Sequence, residues 1–255
     1  MEQWAPSEII DSWDNTGFQI GRKNKNIKNI MLALDLDRYV LEESIKKNID
    51  LIITHHPIIF KGLDSVVDTN PNGKLILDLI ENDIAAYNAH SNLDLAVGGV
   101  SDALADKLKL KNISNLRELD GNDYSNNKFG YGRIGEIKKI DLESFINNMK
   151  NLLDIDDVIL YGEIDKNISK IAVCGGSGSD FMEDALEKGA EVYITGDIKY
   201  HEAQFAYERD LIILDIGHFH SEKHILPVIK NYLEEKYESL NIDIIMEQTL
   251  PQKIY

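Results

Sequence analysis

The stretch Asp50-Leu-Ile-Ile-Thr-His-His-Pro-Ile-Ile-Phe60 limits the fold more than any other part of the chain. Its apolar run from Leu51 to Ile53 is too short for a helix and fits a strand covered on both faces. Pro57 keeps His56 out of helical geometry, so the strand must end in an extended turn at the two histidines. Neighbouring side chains on an extended backbone point to opposite sides. His55 and His56 therefore share one metal only if the turn re-aims one of them, and two adjacent metals would relieve that constraint. A solvent-exposed pair at the start of a loop is the competing reading, and the pair alone does not decide.

That strand belongs to an alternating series. Strands are predicted at 29–34, 51–54 and 84–88, with helices at 38–48, 73–82 and 100–108 between and after them. The polar, turn-rich segment from Leu116 to Lys128 is the expected boundary between lobes. Beyond it the pattern resumes. Strands are predicted at 129–137, 158–161, 168–174, 192–195, 211–215 and 242–246, and helices at 141–153, 181–188, 199–209 and 223–238. Such alternation predicts an α/β protein with mostly parallel sheets. Two similar lobes are expected, residues 1–122 with 216–255 and residues 123–215, facing a shared cleft. In such sheets ligands bind beyond the carboxyl ends of the strands, where Asp35, His55, His56 and the segment His90-Ser-Asn-Leu-Asp94 all fall.

Composition removes several classes of function. Forty-four acidic against 27 basic residues give a net charge of −17, which repels nucleic acid and anionic membrane. No apolar run approaches the roughly 20 residues of a membrane span, and the N-terminus has no secretory pattern. The single cysteine, Cys174, excludes an intrachain disulfide, which suits a reducing cytoplasm. It closes an apolar strand and reads as buried packing rather than as a nucleophile.

Three segments offer metal-ligating side chains after apolar strands: His55 and His56, Asp94, and His218 with Glu222. His218 and Glu222 are four apart and share a face if Gly217-His-Phe-His-Ser-Glu222 turns helical. A capped helix with surface histidines, and a turn aspartate at Asp94, are the plainer readings of two of these segments. Five nitrogen and oxygen donors exceed one tetrahedral site and point to two metals about 3.5–4 Å apart. Mixed imidazole and carboxylate donors suit Zn, Mn, Fe, Co or Ni. The run Gly175-Gly-Ser-Gly178 leads from a strand toward a helix, where backbone N–H groups either receive an anion or are capped internally by Asp180 and Glu183. Lys199 is placed to neutralise an anionic substrate or to pair with Asp197. Trp13 reads as core more readily than as a substrate platform.

Taken together, Trp13-Asp-Asn-Thr-Gly17, Thr54-His-His-Pro57, Ala89-His-Ser-Asn-Leu-Asp94, Gly175-Gly-Ser-Gly178, Tyr193-Ile-Thr-Gly-Asp-Ile-Lys-Tyr-His201 and Gly217-His-Phe-His-Ser-Glu222 resemble the motif series of the NIF-three-like (YbgI) family. Its members are named as homologues of GTP cyclohydrolase I type 2. The resemblance implies two α/β lobes with a dinuclear metal site in a central cleft, assembled as a ring-shaped homohexamer. By motif the metal ligands are His55, His56, Asp94, His218 and Glu222, with His90 and the glycine turns lining the cleft. Ser91 and Phe18 depart from the usual threonine and leucine, and the 116–128 segment is too short for the extra domain of some relatives.

The resulting expectation is a cytoplasmic, metal-dependent hydrolase with two divalent ions per chain, acting on a nucleotide-like small molecule through a metal-activated water. His90 is expected to move the proton, and Gly175, Gly176, Ser177, Gly178 and Lys199 to contact substrate. The alternative is a non-catalytic metal-binding ring that serves as an adaptor or regulator of other proteins.

Overall fold

The computed structural model describes residues 1–119, 129–247 and Leu250. Among them the chain divides into two compact units, one of Met1–Leu93 with the chain from Leu226 onward, the other of Asp94–Ile225.

The first unit is built on a five-stranded sheet. Its strands are β1 (Gly17–Ile20), β2 (Asn29–Ala33), β3 (Leu51–Thr54), β4 (Ala85–Asn88) and β11 (Asn241–Ile244), in the order β1-β4-β3-β2-β11. Only β1 runs antiparallel to its neighbour. Helix α1 (Arg38–Lys46) begins where the Asp37 carboxylate accepts the Val40 N–H. Helix α2 (Pro71–Glu81) starts at Asn70, with Pro71 in the first turn, where its missing N–H costs no hydrogen bond. Val40 and Leu41 of α1 and Leu75, Ile76 and Leu79 of α2 pack with Met31, Ala33, Ile52 and Ala86, which alternation places on one face of the sheet. Helix α9 (Ile225–Lys236) leads back to this unit, and Lys230 Nζ donates to the Ile242 carbonyl on β11 at 2.8 Å.

The second unit contains β5 (Lys111–Glu118), β6 (Gly130–Asp141), β7 (Ile159–Tyr161), β8 (Asn167–Ser177), β9 (Val192–Gly196) and β10 (Ile212–Asp215), in the order β5-β6-β8-β9-β10-β7. This sheet is mixed rather than mostly parallel. The pairs β5–β6, β6–β8 and β10–β7 are antiparallel, and only β8–β9 and β9–β10 are parallel. Helices α4 (Val100–Lys107) and α5 (Leu142–Leu153) cover one face through Leu104, Leu142, Phe145 and Met149 against Ile171, Val173, Ile194 and Leu214. Helices α6 (Met182–Glu187) and α7 (Tyr200–Tyr207) cover the other through Met182, Ala185, Ala203 and Ala206 against Ala172, Cys174, Tyr193 and Ile213.

The predicted elements are present with ends shifted by a few residues, and three features differ. The first boundary lies at Leu93 and Asp94 rather than near 122, because β5 pairs with β6 and belongs to the second sheet. The return lies at Leu226 rather than 216. Of the expected linker, 116–118 is strand, and 120–128 lies outside the described residues.

Candidate metal centre

Parallel strands bring their carboxyl ends to one side of a sheet, so the sequence that follows each strand meets the others there. In the first unit that places Asp35 after β2, His55 and His56 after β3, and His90 after β4. The His56 N–H donates to the Leu34 carbonyl at 2.9 Å, and Thr54 Oγ1 donates to the His56 carbonyl at 2.7 Å. These two bonds shape the turn that Pro57 imposes.

The three imidazoles are oriented alike. His55 is fully buried, and its Nδ1 lies 2.8 Å from the Ala89 carbonyl oxygen. A carbonyl only accepts, so His55 carries its proton on Nδ1 and presents the Nε2 lone pair. His56 Nδ1 lies 2.9 Å from Asp35 Oδ1, and His90 Nδ1 lies 2.8 Å from Asp14 Oδ1. One nitrogen from each ring falls within 4.8 Å of the others. Rings held through Nδ1 by an oxygen acceptor and converging in this way are the arrangement in which histidine binds a metal. The residues present fit a divalent ion.

Asp14 was not anticipated as part of this group. Its side chain is fully buried, and it accepts from Ser91 N–H at 3.1 Å and Ser91 Oγ at 2.6 Å besides His90. Burial pushes its carboxyl up, but the hydrogen bonds from His90 and Ser91 outweigh burial and hold it at about 2. Thr16 Oγ1 accepts the His90 N–H at 2.9 Å, so ring and backbone are both fixed. His90 itself precedes α3 (Ser91–Leu95), a single helical turn where a loop was expected.

In the second unit β8, β9 and β10 deliver Gly176, Asp197 and His218. Gly217, at φ +77°, turns the chain into α8 (His218–Glu222), so the anticipated helical face forms. His218 Nδ1 lies 2.7 Å from Asp197 Oδ2, and its Nε2 lies 3.3 Å from Glu222 Oε2. Burial raises the Cys174 thiol to about 12, the negative charges of Asp94 and Glu222 add to the shift, and the thiol is protonated at neutral pH. His220 and His224 do not join His218. Burial and then Lys223 lower both, His224 to about 4.

The glycine run does a different job from the anion nest considered for it. Gly175, Gly176 and Ser177 belong to β8. The Gly176 N–H donates to Ser221 Oγ at 2.9 Å, the Gly178 N–H to Thr195 Oγ1 at 3.0 Å, and the Gly175 N–H to Ser101 Oγ at 3.4 Å. No side chain caps the turns that follow. A Cβ on Gly176, which sits at φ +69°, would collide with Glu222 Oε1, and one on Gly196 would stand 2.6 Å from the His218 nitrogen. These glycines make room for Glu222 and His218. Lys199 is exposed and pairs with Glu202 at 3.5 Å rather than with Asp197.

A family model described as Duf34/NIF3 (NGG1p interacting factor 3) matches residues 1–252. A Streptococcus pneumoniae protein named GTP cyclohydrolase 1 type 2 homolog is 36% identical over 248 residues, covering 94% of this chain and 91% of that protein. The crystal structure of a Bacillus cereus protein related to NIF3 has a TM-score of 0.92 at 26% identity, over 100% of this chain and 96% of the other. Reduced HcgD from Methanocaldococcus jannaschii has a TM-score of 0.80 at 31% identity, over 95% and 93% of the two chains. The motif series, the α/β architecture and these matches agree, and the chain belongs to the Duf34/NIF3 family.

Proposed function

We propose that this protein is a metal-dependent hydrolase acting on a nucleotide-like small molecule. The orientation of His55 and His56 carries the reading, each ring held at Nδ1 by an oxygen acceptor, with His90 held in the same way beside them. We assign His55, His56, Asp94, His218 and Glu222 as ligands of two divalent ions, drawn from Zn, Mn, Fe, Co or Ni. A bound divalent ion supplies a water of lowered pKa and polarises the attacked centre.

The protein's own residues hold geometry and protons. Ala89 and Asp35 fix the tautomers of His55 and His56 so that Nε2 remains a donor to metal. Asp197 does the same for His218. His90, its Nδ1 proton held by Asp14, takes up or releases a proton at Nε2, a transfer worth about 10²–10⁴-fold in rate. The names of the relatives make GTP the first compound to try. A cytoplasmic, ring-shaped homohexamer is part of the same proposal.

The test is turnover of GTP and a panel of nucleotides by protein supplied separately with Zn, Mn, Fe and Ni, alongside elemental analysis. Expected are close to two ions per chain and metal-dependent product. His90→Gln should lower turnover by about 100-fold or more at unchanged metal content. The His55→Ala/Glu222→Ala double variant should lose both metal and product. Full metal occupancy with no product from any nucleotide would instead support the adaptor reading.

A further inference from the structure

Trp13 and Phe60 are large rings that stay in water. Trp13 is 55% exposed and Phe60 43%, although an indole left in water forgoes about 2 kcal/mol of burial. Both stand beside His90, with Trp13 and Phe60 centroids 6.0 Å apart, Trp13 and His90 6.0 Å, and Phe60 and His90 6.2 Å. Each meets the imidazole edge-on at 81°. Their segments are also tied together. Gln19 Oε1 accepts the Ile59 N–H at 3.0 Å, its Nε2 donates to the Ile59 carbonyl at 2.9 Å, and Asn15 Nδ2 donates to the same carbonyl. The backbone beside Phe60 is thus joined to the segment that follows Trp13 before any contact, which lowers the ordering cost of binding.

We propose that Trp13 and Phe60 form a stacking site for a planar heteroaromatic ring such as a nucleobase, against the edge of His90. Faces of exposed aromatic side chains suit such rings because every base has a π-face, and each stacked base contributes about 1–3 kcal/mol. The Ile59 carbonyl is already engaged by Asn15 and Gln19, so stacking rather than recognition of a base edge at that group supplies the affinity. The meaning given to the bound ring, that it belongs to the substrate, rests on the hydrolase reading. The binding itself does not.

Trp4 and Trp13 are the two tryptophans, so a Trp4→Phe variant leaves Trp13 as the only indole. Full-length protein of this kind, metal-replete and after chelation, is titrated with guanosine, adenosine and ribose 5-phosphate while tryptophan emission is recorded. Expected is saturable quenching by both nucleosides with and without metal, none by ribose 5-phosphate, and about 5- to 150-fold weaker binding when Phe60→Ala is added. Because Trp4 packs on Tyr232 at 4.8 Å, equilibrium dialysis of labelled guanosine against the unaltered chain and its Trp13→Ala and Phe60→Ala variants provides the same comparison if Trp4→Phe does not fold. No saturation at millimolar nucleoside, equal quenching by ribose 5-phosphate, or Trp13 emission already shielded by a second copy of the chain would overturn the site. Nucleoside binding without turnover would leave the platform standing and count against the hydrolase reading alone. Turnover without nucleoside binding would do the reverse.

Discussion

The Asp14 carboxylate, held at about 2 against an ordinary 3.8, makes a specific contribution to acid stability. Its folded-state value is depressed, so the unfolded chain binds more protons between these values and the contribution is complete above about pH 4. It fades as pH falls toward 2 and is on the order of 2 kcal/mol. The stability gap between the unaltered protein and Asp14→Asn should therefore narrow from pH 5 to pH 3 in urea titrations, and a constant gap would refute the assignment. Residues of this kind show how far sequence reading reached. The positions of His55, His56, His218 and Glu222 beyond strand ends were legible because each follows an apolar run that had to be a strand. Asp14 was not, because an aspartate in a polar turn looks the same whether it faces water or His90 across 76 positions. Trp13 was misjudged for a related reason. Hydrophobicity describes a preference for burial and says nothing of a ring that geometry keeps at the surface.

Among the elements, β6 depends on one buried cation. Arg133 is 2% exposed and donates to both carboxylate oxygens of Asp102, at 2.7 and 2.8 Å, and to the carbonyls of Ala96, Gly130 and Gly132. Removing it leaves a partly buried carboxylate without its counter-charge and three carbonyls without this donor. Arg133→Ala should cost about 3–5 kcal/mol in urea unfolding, and Arg133→Lys should recover only part, since an ammonium lacks the planar fork. The elements that sequence reading missed share a cause. Strand β5 shows only Ile113 and Leu116 as apolar side chains in Lys111–Glu118, because it lies at a sheet edge and is largely exposed. Helix α3 is five residues long, shorter than two turns, so no helical period can register. The strands buried on both faces, β3 and β9, carry continuous apolar runs and were located to within a residue.

Across the whole molecule, the unit of Asp94–Ile225 is continuous in sequence, whereas the other unit is completed by α9 and β11 from the far end of the chain. Each has its own buried clusters. Deleting the chain from Leu226 onward should therefore leave slow amide exchange in β8, β9 and β10 while protection in β2 and β3 collapses. Equal loss in both units would contradict this division. No helix among the described residues is long and apolar enough to cross a membrane. The late arrival of β11 also sets a timetable for synthesis. Strand β2 leaves the ribosome early, but its neighbour along Asn29–Leu32 is made only at Asn241–Ile244. At about 5–20 residues per second the nascent chain carries that open edge for roughly 10–40 s, long after the intervening unit has been made. An unpaired edge of Ile30 and Leu32 invites pairing with other chains. Fast translation or a chaperone that shields the first hundred residues should therefore raise the yield of folded protein more than any change made within the second unit.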